Sequence, residues 1–216
     1  MSAPLHSLAP WKARPAPELV PTGVAEVDAL SGGLPRGALT EVLGPASSGR
    51  TSLVLAILAE AARRQETCAL VDAGDAFDPA SAAAAGVDLS KLLWVRCAGK
   101  AEHALRAADL LVQGGGFGCV VLDLGDVPPR LARRIPLTCW FRLRRAIENT
   151  PTVLVLVGQT SCAPSCASLI LELKKGRATW SGTPGCSRLL RGALFEVSRR
   201  KPVASASAAF QVRAMG

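Results

Sequence analysis

The sequence predicts one α/β domain, in which a mostly parallel β-sheet carries helices on both faces. Three observations favour this fold class. The chain has 216 residues, of which 49% are apolar, so it is long enough for one domain with its own core. Short apolar runs alternate with helical segments, which is typical of parallel sheets. Several runs are apolar at successive positions, as expected of strands that are buried on both faces.

Each element follows from a local pattern. Thr22 can cap a short first helix that runs to about residue 30, and the glycine-rich segment 31–37 forms a turn. Gly86 ends an Ala-rich helix, and residues 131–149 contain a helix that starts after Pro136. The other predicted helices are 51–64 and 101–113, and the predicted strands are 38–44, 67–73, 91–97, 119–124, 152–158 and 169–176, the last with 178–182 as a hairpin partner.

Composition divides the chain into three parts. Residues 1–21 contain five prolines without periodicity, so we expect a flexible arm there, in which Trp11 can anchor on this domain or on a partner. Residues 22–185 form the core domain, and residues 186–216 form a basic C-terminal tail. No apolar run is long enough to cross a membrane, and the first residues lack the apolar stretch of a signal peptide. These features predict a cytoplasmic protein.

The seven cysteines are expected to be reduced in that compartment. Cys68 and Cys119 lie in apolar strand-like runs, where a thiol packs as a small hydrophobic group. Cys162 and Cys166 could hold zinc together with Cys186. A closed zinc site takes four ligands and no further pair or nearby histidine accompanies these three, so the sequence favours packing roles.

The net charge of +8 is unevenly distributed. Residues 1–173 carry sixteen basic and sixteen acidic side chains, whereas residues 174–216 carry nine basic ones against Glu196 alone. A cationic end on a neutral body indicates an anionic partner, either nucleic acid or an acidic protein surface. The alternative is a tail that serves only solubility.

The segment GPASSGRT at residues 44–51 predicts a phosphate-binding loop, because it follows a predicted strand and opens a predicted helix. Backbone N–H groups and the helix N-terminus bind phosphate in such loops. The residues predicted to contact nucleotide here are Gly44, Ser47, Ser48, Gly49, Arg50, Thr51 and Ser52. Arg50 departs from the pattern, which requires lysine, and a planar guanidinium is poorly shaped for that position. The alternative is a glycine-rich turn without a ligand.

Asp123 ends the apolar strand that follows the loop by about seventy residues. An aspartate at this position orients the magnesium shell in nucleotide-binding proteins of this class. Thr51 and Asp123 are therefore the predicted Mg²⁺ residues, should nucleotide bind. Apolar strands that end in Asp are common, so the spacing from residues 44–51 is what gives the prediction its weight.

These segments together resemble the RecA/RadA recombinase core. The resemblance covers about residues 20–175 and is carried by GGLPRGALTEVLGPASSGRTSL, CALVDAGDAFDP and AAGVDLSKLL. It implies ATP and Mg²⁺ as cofactors, Asp78 beside the adenine, and Gln159 as the residue that senses phosphate. It also places the catalytic glutamate of the family at Gly74, so the resemblance implies weak or absent ATPase activity.

Two further departures concern DNA. The segments after Asp123 and after Gln159, where recombinases carry DNA-binding loops, are short, and a Pro-rich arm stands in place of the N-terminal assembly module. The chain resembles the ImuA family in this shape and in RIPLTCWFRLRRAIENTP at residues 134–151. That resemblance implies an accessory role in SOS-type mutagenesis and translesion synthesis, with a Y-family-like polymerase and RecA as partners; the oligomeric state stays open.

Residues 130–145 contain six arginines and no acid, with Trp140 and Phe141 among them. Arginine and aromatic side chains can bind single-stranded DNA by phosphate contact and base stacking. Alternatively, Leu137, Trp140, Phe141 and Ile147 face the core and only the arginines face solvent. The predicted DNA-binding residues are Arg130, Arg133, Arg134, Arg142, Arg144, Arg145, Lys174, Lys175, Arg199, Arg200 and Lys201.

The sequence therefore predicts a RecA-like accessory protein in DNA-damage tolerance that does not perform recombination. Two alternatives remain at this point. One is an active DNA-dependent ATPase of the recombinase or mediator type, and the other is a protein-binding module like the RecA-derived inhibitors of cell division. Salt-dependent DNA binding without DNA-stimulated phosphate release would distinguish the accessory protein from both alternatives.

Overall fold

The fold was analysed on a computed structural model, which describes residues 16–182, 188–202 and 206–213. The strands are β1 (Leu19–Val20), β2 (Leu34–Pro35), β3 (Ala38–Leu43), β4 (Cys68–Asp72), β5 (Leu92–Arg96), β6 (Cys119–Asp123), β7 (Val153–Gly158), β8 (Ala167–Ser181), β9 (Leu189–Lys201) and β10 (Ala206–Arg213). The helices are α1 (Ala25–Ser31), α2 (Arg50–Arg63), α3 (Pro79–Ala84), α4 (Ala101–Gly114), α5 (Pro129–Ala132) and α6 (Leu137–Ile147).

Eight of the strands form one sheet in the order β10–β9–β8–β3–β7–β6–β4–β5. The six strands from β8 to β5 run parallel to their neighbours, and β9 and β10 extend the sheet in antiparallel pairing. β1 and β2 pair separately. The predicted fold class, a mostly parallel sheet in an α/β domain, is confirmed.

Apolar side chains cover the sheet on both faces, as the uninterrupted apolar strands require. One cluster packs α2 against one face, with Leu53 and Ile57 at its centre. The other packs α4 and α6 against the opposite face, around Leu154 and the fully buried Trp140. Because both faces are covered, polar groups that serve a ligand are concentrated at the carboxyl ends of the strands, where parallel sheets bind ligands.

The C-terminal region differs from the prediction. Residues 169–182 were expected to fold back as a hairpin at Gly176, but β8 continues through them as one strand and pairs with β9. Gly176 lies at an irregularity in that pairing, where a Cβ atom would come within 2.4 Å of the Leu194 carbonyl oxygen. Glycine here permits a close backbone approach at a bulge. The described parts of 186–216 are thus strands of the main sheet.

The structure also bears on the predictions about the N-terminal arm, membrane spans and the cysteines. Val20, at the end of the predicted arm, pairs with Leu34, whereas Trp11 and Cys186 lie outside the described residues. Across residues 16–182, 188–202 and 206–213 we find no helix with the length and apolar character needed to cross a membrane. The same residues contain no cluster of three potential metal ligands from His, Cys, Asp and Glu. Burial raises the pKa of the Cys68 thiol to about 11.

Candidate nucleotide site and adjoining basic surface

The loop at residues 44–49 connects β3 to α2, as the sequence predicts. Gly49 has a φ of 90°, in the region that favours glycine, and begins α2 as its cap. A Cβ atom on Gly44 would lie 2.4 Å from Ser48 Oγ and 2.5 Å from the Leu173 carbonyl oxygen. Both glycines are therefore required by the path of the loop and by its packing against β8.

The loop fits a phosphate group. No side chain of residues 16–182, 188–202 or 206–213 caps the N-terminus of α2, so the first backbone N–H groups, near Thr51 and Ser52, have no partner within the helix. Ser48 is buried, and its Oγ has no hydrogen-bond partner in the described part of the chain. Ser47 and Thr51 are exposed beside these groups. Orphaned donors at a helix N-terminus form a ready-made site for an anion.

Three of the predicted residues meet around Gly125, which follows β6. Arg50 Nη1 lies 3.4 Å from the Gly125 carbonyl oxygen, and Gln159 Nε2 donates to the same oxygen at 3.0 Å. The Gly125 N–H donates to Asp123 Oδ1 at 2.7 Å. The guanidinium of Arg50, on a longer side chain than lysine has, thus extends from α2 to the turn after β6. This geometry ties the phosphate loop to the ends of β6 and β7.

Asp123 titrates differently from an ordinary aspartate. Burial raises the pKa of its carboxyl to about 6, against the opposing effects of the Gly125 N–H and the Arg50 guanidinium. The carboxylates of Asp72 and Asp126 raise this pKa further. A buried acid near a cation and two other acids is typical of functional sites.

Gly74, where the sequence resemblance predicts the loss of a catalytic glutamate, lies close to the Asp126 side chain. A Cβ atom added to Gly74 would lie 2.9 Å from both Cβ and Oδ2 of Asp126. Asp126 follows β6 by three residues and is exposed. Its side chain therefore occupies the space into which a side chain at residue 74 would project. The sequence pattern did not identify Asp126, since it lies in an irregular loop after the motif.

Asp78 caps α3, because its Oδ2 accepts a hydrogen bond from the Ser81 backbone N–H at 2.9 Å. Hydrogen bonds from the Ser81 hydroxyl and N–H hold the pKa of Asp78 below its usual value. Asp72 shapes the loop that leads there, accepting from the N–H groups of Gly74 and Phe77 and from Trp94 Nε1. The position of Asp78 beside an adenine stays a prediction.

Two residues that the sequence analysis did not identify contact the loops of the site. Glu41 is fully buried in β3 and accepts hydrogen bonds from Ser161 Oγ and from the Cys162 and Ala163 N–H groups at 2.6–2.8 Å. It thereby fixes the loop after Gln159. An acid within the apolar strand ALTEVL was the available signal. Phe195 of β9 packs on Gly49, where a Cβ atom would lie 2.6 Å from its ring.

The helix α6 divides the predicted basic surface. Trp140, Leu143 and Ile147 are buried, whereas Leu137 and Phe141 are 54% and 48% exposed. The expectation that all four of Leu137, Trp140, Phe141 and Ile147 face the core is therefore wrong for Leu137 and Phe141. Helical geometry explains this, because residues 140, 143 and 147 share one face and residues 137 and 141 share another.

The predicted arginines are not all equivalent. Arg130, Arg133 and Arg134 are exposed before α6 and have no ion pair among the described residues. Arg142 pairs with Asp109 of α4 at 2.9 Å. Arg144 lies near the far end of the helix and lines a cavity at the amino ends of the strands. Arg145 is exposed near that same end.

The predicted basic residues of the C-terminal region lie on β8 and β9. Lys174 and Lys175 are exposed. Arg200 pairs with Glu172 at 2.9 Å, and Lys201 Nζ donates to the Pro164 carbonyl oxygen at 2.9 Å. Arg199 is half-buried, and its Nε has no partner in the described residues. Lys174 and Lys175 are thus available to an anionic ligand, whereas Arg200 and Lys201 already hold contacts.

The model of the RecA N-terminal domain family matches residues 12–129, more than half of the chain. The chain belongs to the RecA family. It is similar to Protein RecA of Chloroflexus aurantiacus, with 36% identity over 162 residues, or 68% of this chain and 46% of that protein. It is also 37% identical over 158 residues to Protein RecA of Deinococcus radiodurans, covering 66% of this chain and 43% of that protein.

The chain thus spans less than half the length of these RecA relatives. The RecA family match ends at residue 129, at the start of α5, so it includes the phosphate loop, Gly74 and Asp123 but not α6. Membership of the RecA family agrees with the phosphate-fitting loop between β3 and α2. The basic surface around α6 lies beyond the matched region.

Proposed function

We propose that this chain is a RecA-type accessory protein in DNA-damage tolerance that binds nucleotide and DNA and does not perform recombination. The observation that carries the proposal is the absence of a side chain at Gly74. The resemblance to the recombinase core places the water-activating glutamate at this position, and the Asp126 carboxylate occupies the space beside it. Family membership supplies the nucleotide and DNA repair context.

ATP with Mg²⁺ is the proposed cofactor. The loop from Gly44 to Ser52 would hold the phosphates, Thr51 and Asp123 the metal ion, and Asp78 the adenine, while Gln159 would face the terminal phosphate. The orphaned Ser48 Oγ and the uncapped N-terminus of α2 support this arrangement. When bound, the nucleotide would supply a cleavable phosphoanhydride, and Arg50 would have to exchange Gly125 for phosphate.

Slow or absent hydrolysis follows from two features of the site. Arg50 is a forked cation that lies beside the turn after β6, rather than a compact ammonium on the phosphate loop. Gly74 offers no group to accept a proton from water. Loss of a general base or of a charge-stabilising group slows such chemistry by about a hundredfold or more each. The proposed role is therefore nucleotide-dependent binding rather than turnover.

DNA binding is proposed at Arg130, Arg133, Arg134 and Phe141, with Lys174 and Lys175 as a second group. Exposed arginines and an exposed aromatic ring suit single-stranded DNA, since together they offer phosphate contact and base stacking. Only residues 159–166 connect β7 to β8, and residues 124–136 connect β6 to α6. Connections this short favour a binding module over a filament that exchanges strands.

The proposed pathway is SOS-type mutagenesis by translesion synthesis, with a Y-family-like polymerase and RecA as protein partners. This part rests on the resemblance of residues 134–151 to the ImuA family. The basic strands β8 and β9 are the surface proposed for the polymerase-like partner. Co-purification of the two proteins, and its loss when Arg188 and Arg191 are replaced by Glu, tests this contact.

Phosphate release from ATP with and without single-stranded DNA tests the central proposal. We expect DNA binding at low salt with little release in either condition. Brisk, DNA-stimulated release would contradict the proposal. Absence of DNA binding at low salt would instead favour a module that binds only proteins.

The second candidate is an active DNA-dependent ATPase, and one observation favours it. The Asp126 carboxylate lies beside Gly74, so it could serve in place of the missing glutamate. Under this candidate Asp126→Ala abolishes DNA-stimulated release while nucleotide binding persists. Under the accessory proposal the variant releases phosphate as slowly as the parent chain.

A further inference from the structure

A cavity of about 600 Å³ opens between the start of α4 and the segment that leads from β6 to α6. It lies at the carboxyl ends of β4 to β6, and its rim includes Gly74 and Asp126. Its size falls in the range of sites for small ligands. The phosphate loop does not line it, so the cavity shares Gly74 and Asp126 with the candidate nucleotide site but lies outside the phosphate loop.

The cavity combines an apolar wall with charged groups that have no partner in the described part of the chain. Leu105, Val127, Leu131 and Ile135 form the wall, and Leu131 is 46% exposed despite its apolar side chain. The charged and imidazole side chains on the lining are Lys100, Glu102, His103, Asp126 and Arg134. None of these side chains has a hydrogen bond or ion pair with another described residue. Their hydrogen-bonding capacity is therefore free for a ligand.

The two signs of charge fall in a pattern that restricts the ligand. Lys100 and Arg134 offer cations, and α4 begins directly after Lys100 with no side-chain cap from the described residues. Glu102 and Asp126 offer carboxylates, which accept hydrogen bonds from amino groups. A ligand that carries a phosphate, an apolar ring and an amino group satisfies all three kinds of lining.

We infer that this cavity binds one unstacked base of single-stranded DNA, with a preference for a base that carries an exocyclic amino group. The inference rests on the proposed DNA binding, since Arg134 and Leu131 belong to both the cavity and the basic surface before α6. The base ring packs on Leu131 and Val127, and its phosphate is held by Lys100 and Arg134. Glu102 or Asp126 accepts from the amino group, as acidic side chains do with cytosine.

Oligo-dC and oligo-dT strands of equal length provide the test, because both bases stack weakly and only cytosine has the amino group. Equilibrium binding should favour oligo-dC by about five- to a hundredfold, the range of one good base contact. At least one of the variants Asp126→Ala and Glu102→Ala should reduce this preference. Both remove negative charge, so attraction of charge alone would tighten binding of either strand and leave the preference unchanged.

Glu26→Ala is the matched control, since Glu26 is exposed on α1, away from the cavity lining. It should leave the ratio of the two affinities as in the parent chain. Equal affinity for oligo-dC and oligo-dT in the parent chain would overturn the inference while leaving the proposed function intact. A preference that survives both cavity variants would also overturn it.

Failure of both strands to bind at low salt would remove the proposed function as well, which separates the two failures. Binding of an acidic, leucine-containing peptide tests the other possible ligand of the cavity, a segment of a partner protein. Binding of this peptide that Lys100→Ala abolishes, in a chain without base preference, would show a protein-binding cavity and overturn the inference.

Discussion

Gly74 and Asp126 show how the site departs from its family at the level of single residues. Restoring the glutamate as Gly74→Glu places a Cβ atom 2.9 Å from Asp126 and a second carboxylate beside it. We expect this variant to lose about 1–2 kcal/mol in the free energy of unfolding, from crowding and repulsion. Asp126→Ala in the same chain should recover most of that loss. Urea unfolding of both single variants and the double variant measures the coupling.

Gly74→Ala separates the two causes, since it adds the Cβ atom without a charge. A loss as large as that of Gly74→Glu would assign the effect to crowding alone. Additive effects in the Gly74→Glu, Asp126→Ala pair would contradict the contact itself. Any attempt to regain hydrolysis should use this pair, because glutamate alone meets an occupied position.

The raised pKa of Asp123 predicts that the free energy of unfolding depends on pH. Its folded pKa of about 6 lies above the ordinary value of about 4, so the folded state binds this proton more tightly. The free energy of unfolding should therefore fall as the pH rises from about 4 to about 6 and level off above that. Asp123→Asn removes this cost and still accepts from the Gly125 N–H, so it should stabilise the chain at neutral pH by about 1–3 kcal/mol.

Urea unfolding of the parent chain and Asp123→Asn across this pH range measures the difference. The gain should shrink as the pH falls from about 6 and vanish below about 4, where both states of the parent carry the proton. A variant less stable than the parent at neutral pH would show that the Asp123 carboxylate contributes a net favourable interaction. The same residue would then be held for its structure rather than for a ligand.

Single residues also show what a sequence can and cannot reveal about this site. Gly44, Gly49 and Asp123 were predictable, because a local motif fixes their spacing. Asp126 and Phe195 were not, since their contacts with Gly74 and Gly49 depend on how the loop after β6 and a distant strand pack. Glu41 is intermediate, because an acid in a buried strand was visible but its partners in the loop after β7 were not.

At the scale of elements, α6 separates a structural face from an exposed one. Trp140 is fully buried, so Trp140→Ala should cost about 3–5 kcal/mol in the free energy of unfolding. Phe141 is 48% exposed, so Phe141→Ala should cost less than about 1 kcal/mol. The proposed stacking role predicts that Phe141→Ala weakens single-stranded DNA binding by about five- to a hundredfold.

Leu93→Ala on β5 is the control, since Leu93 is 44% exposed and lies at the opposite edge of the sheet from β8 and β9. It should change neither the stability nor the affinity appreciably. Unchanged DNA affinity in Phe141→Ala would remove the stacking contact from the proposal. Chemical unfolding and fluorescence anisotropy of a labelled oligonucleotide give the two readouts.

The elements were predictable where the pattern was local. The segments that became β3 to β7, α2 and α4 were placed within two residues of their ends, because apolar runs and glycine stops define them. The C-terminal strands were not, since Gly176 indicated a turn and the Ala/Ser-rich stretch within β10 has little strand signal of its own. Pairing with β8 and β9, which is a tertiary effect, decides their structure.

At the scale of the whole molecule, basic side chains that already form ion pairs should contribute less to DNA binding than basic side chains without one. Arg142 is held by Asp109 at 2.9 Å, whereas Arg133, one turn before α6, has no ion pair among the described residues. Binding of single-stranded DNA releases counterions, so the logarithm of the affinity should fall with the logarithm of salt by about 0.7 per phosphate contact. Arg133→Ala should therefore lower this slope by about 0.7, and Arg142→Ala should leave it nearly unchanged. Equal losses of slope would mean that the ion pair with Asp109 opens on DNA, and an unchanged slope in both would place the bound strand elsewhere, with Lys174 and Lys175 of β8 as the next residues to replace.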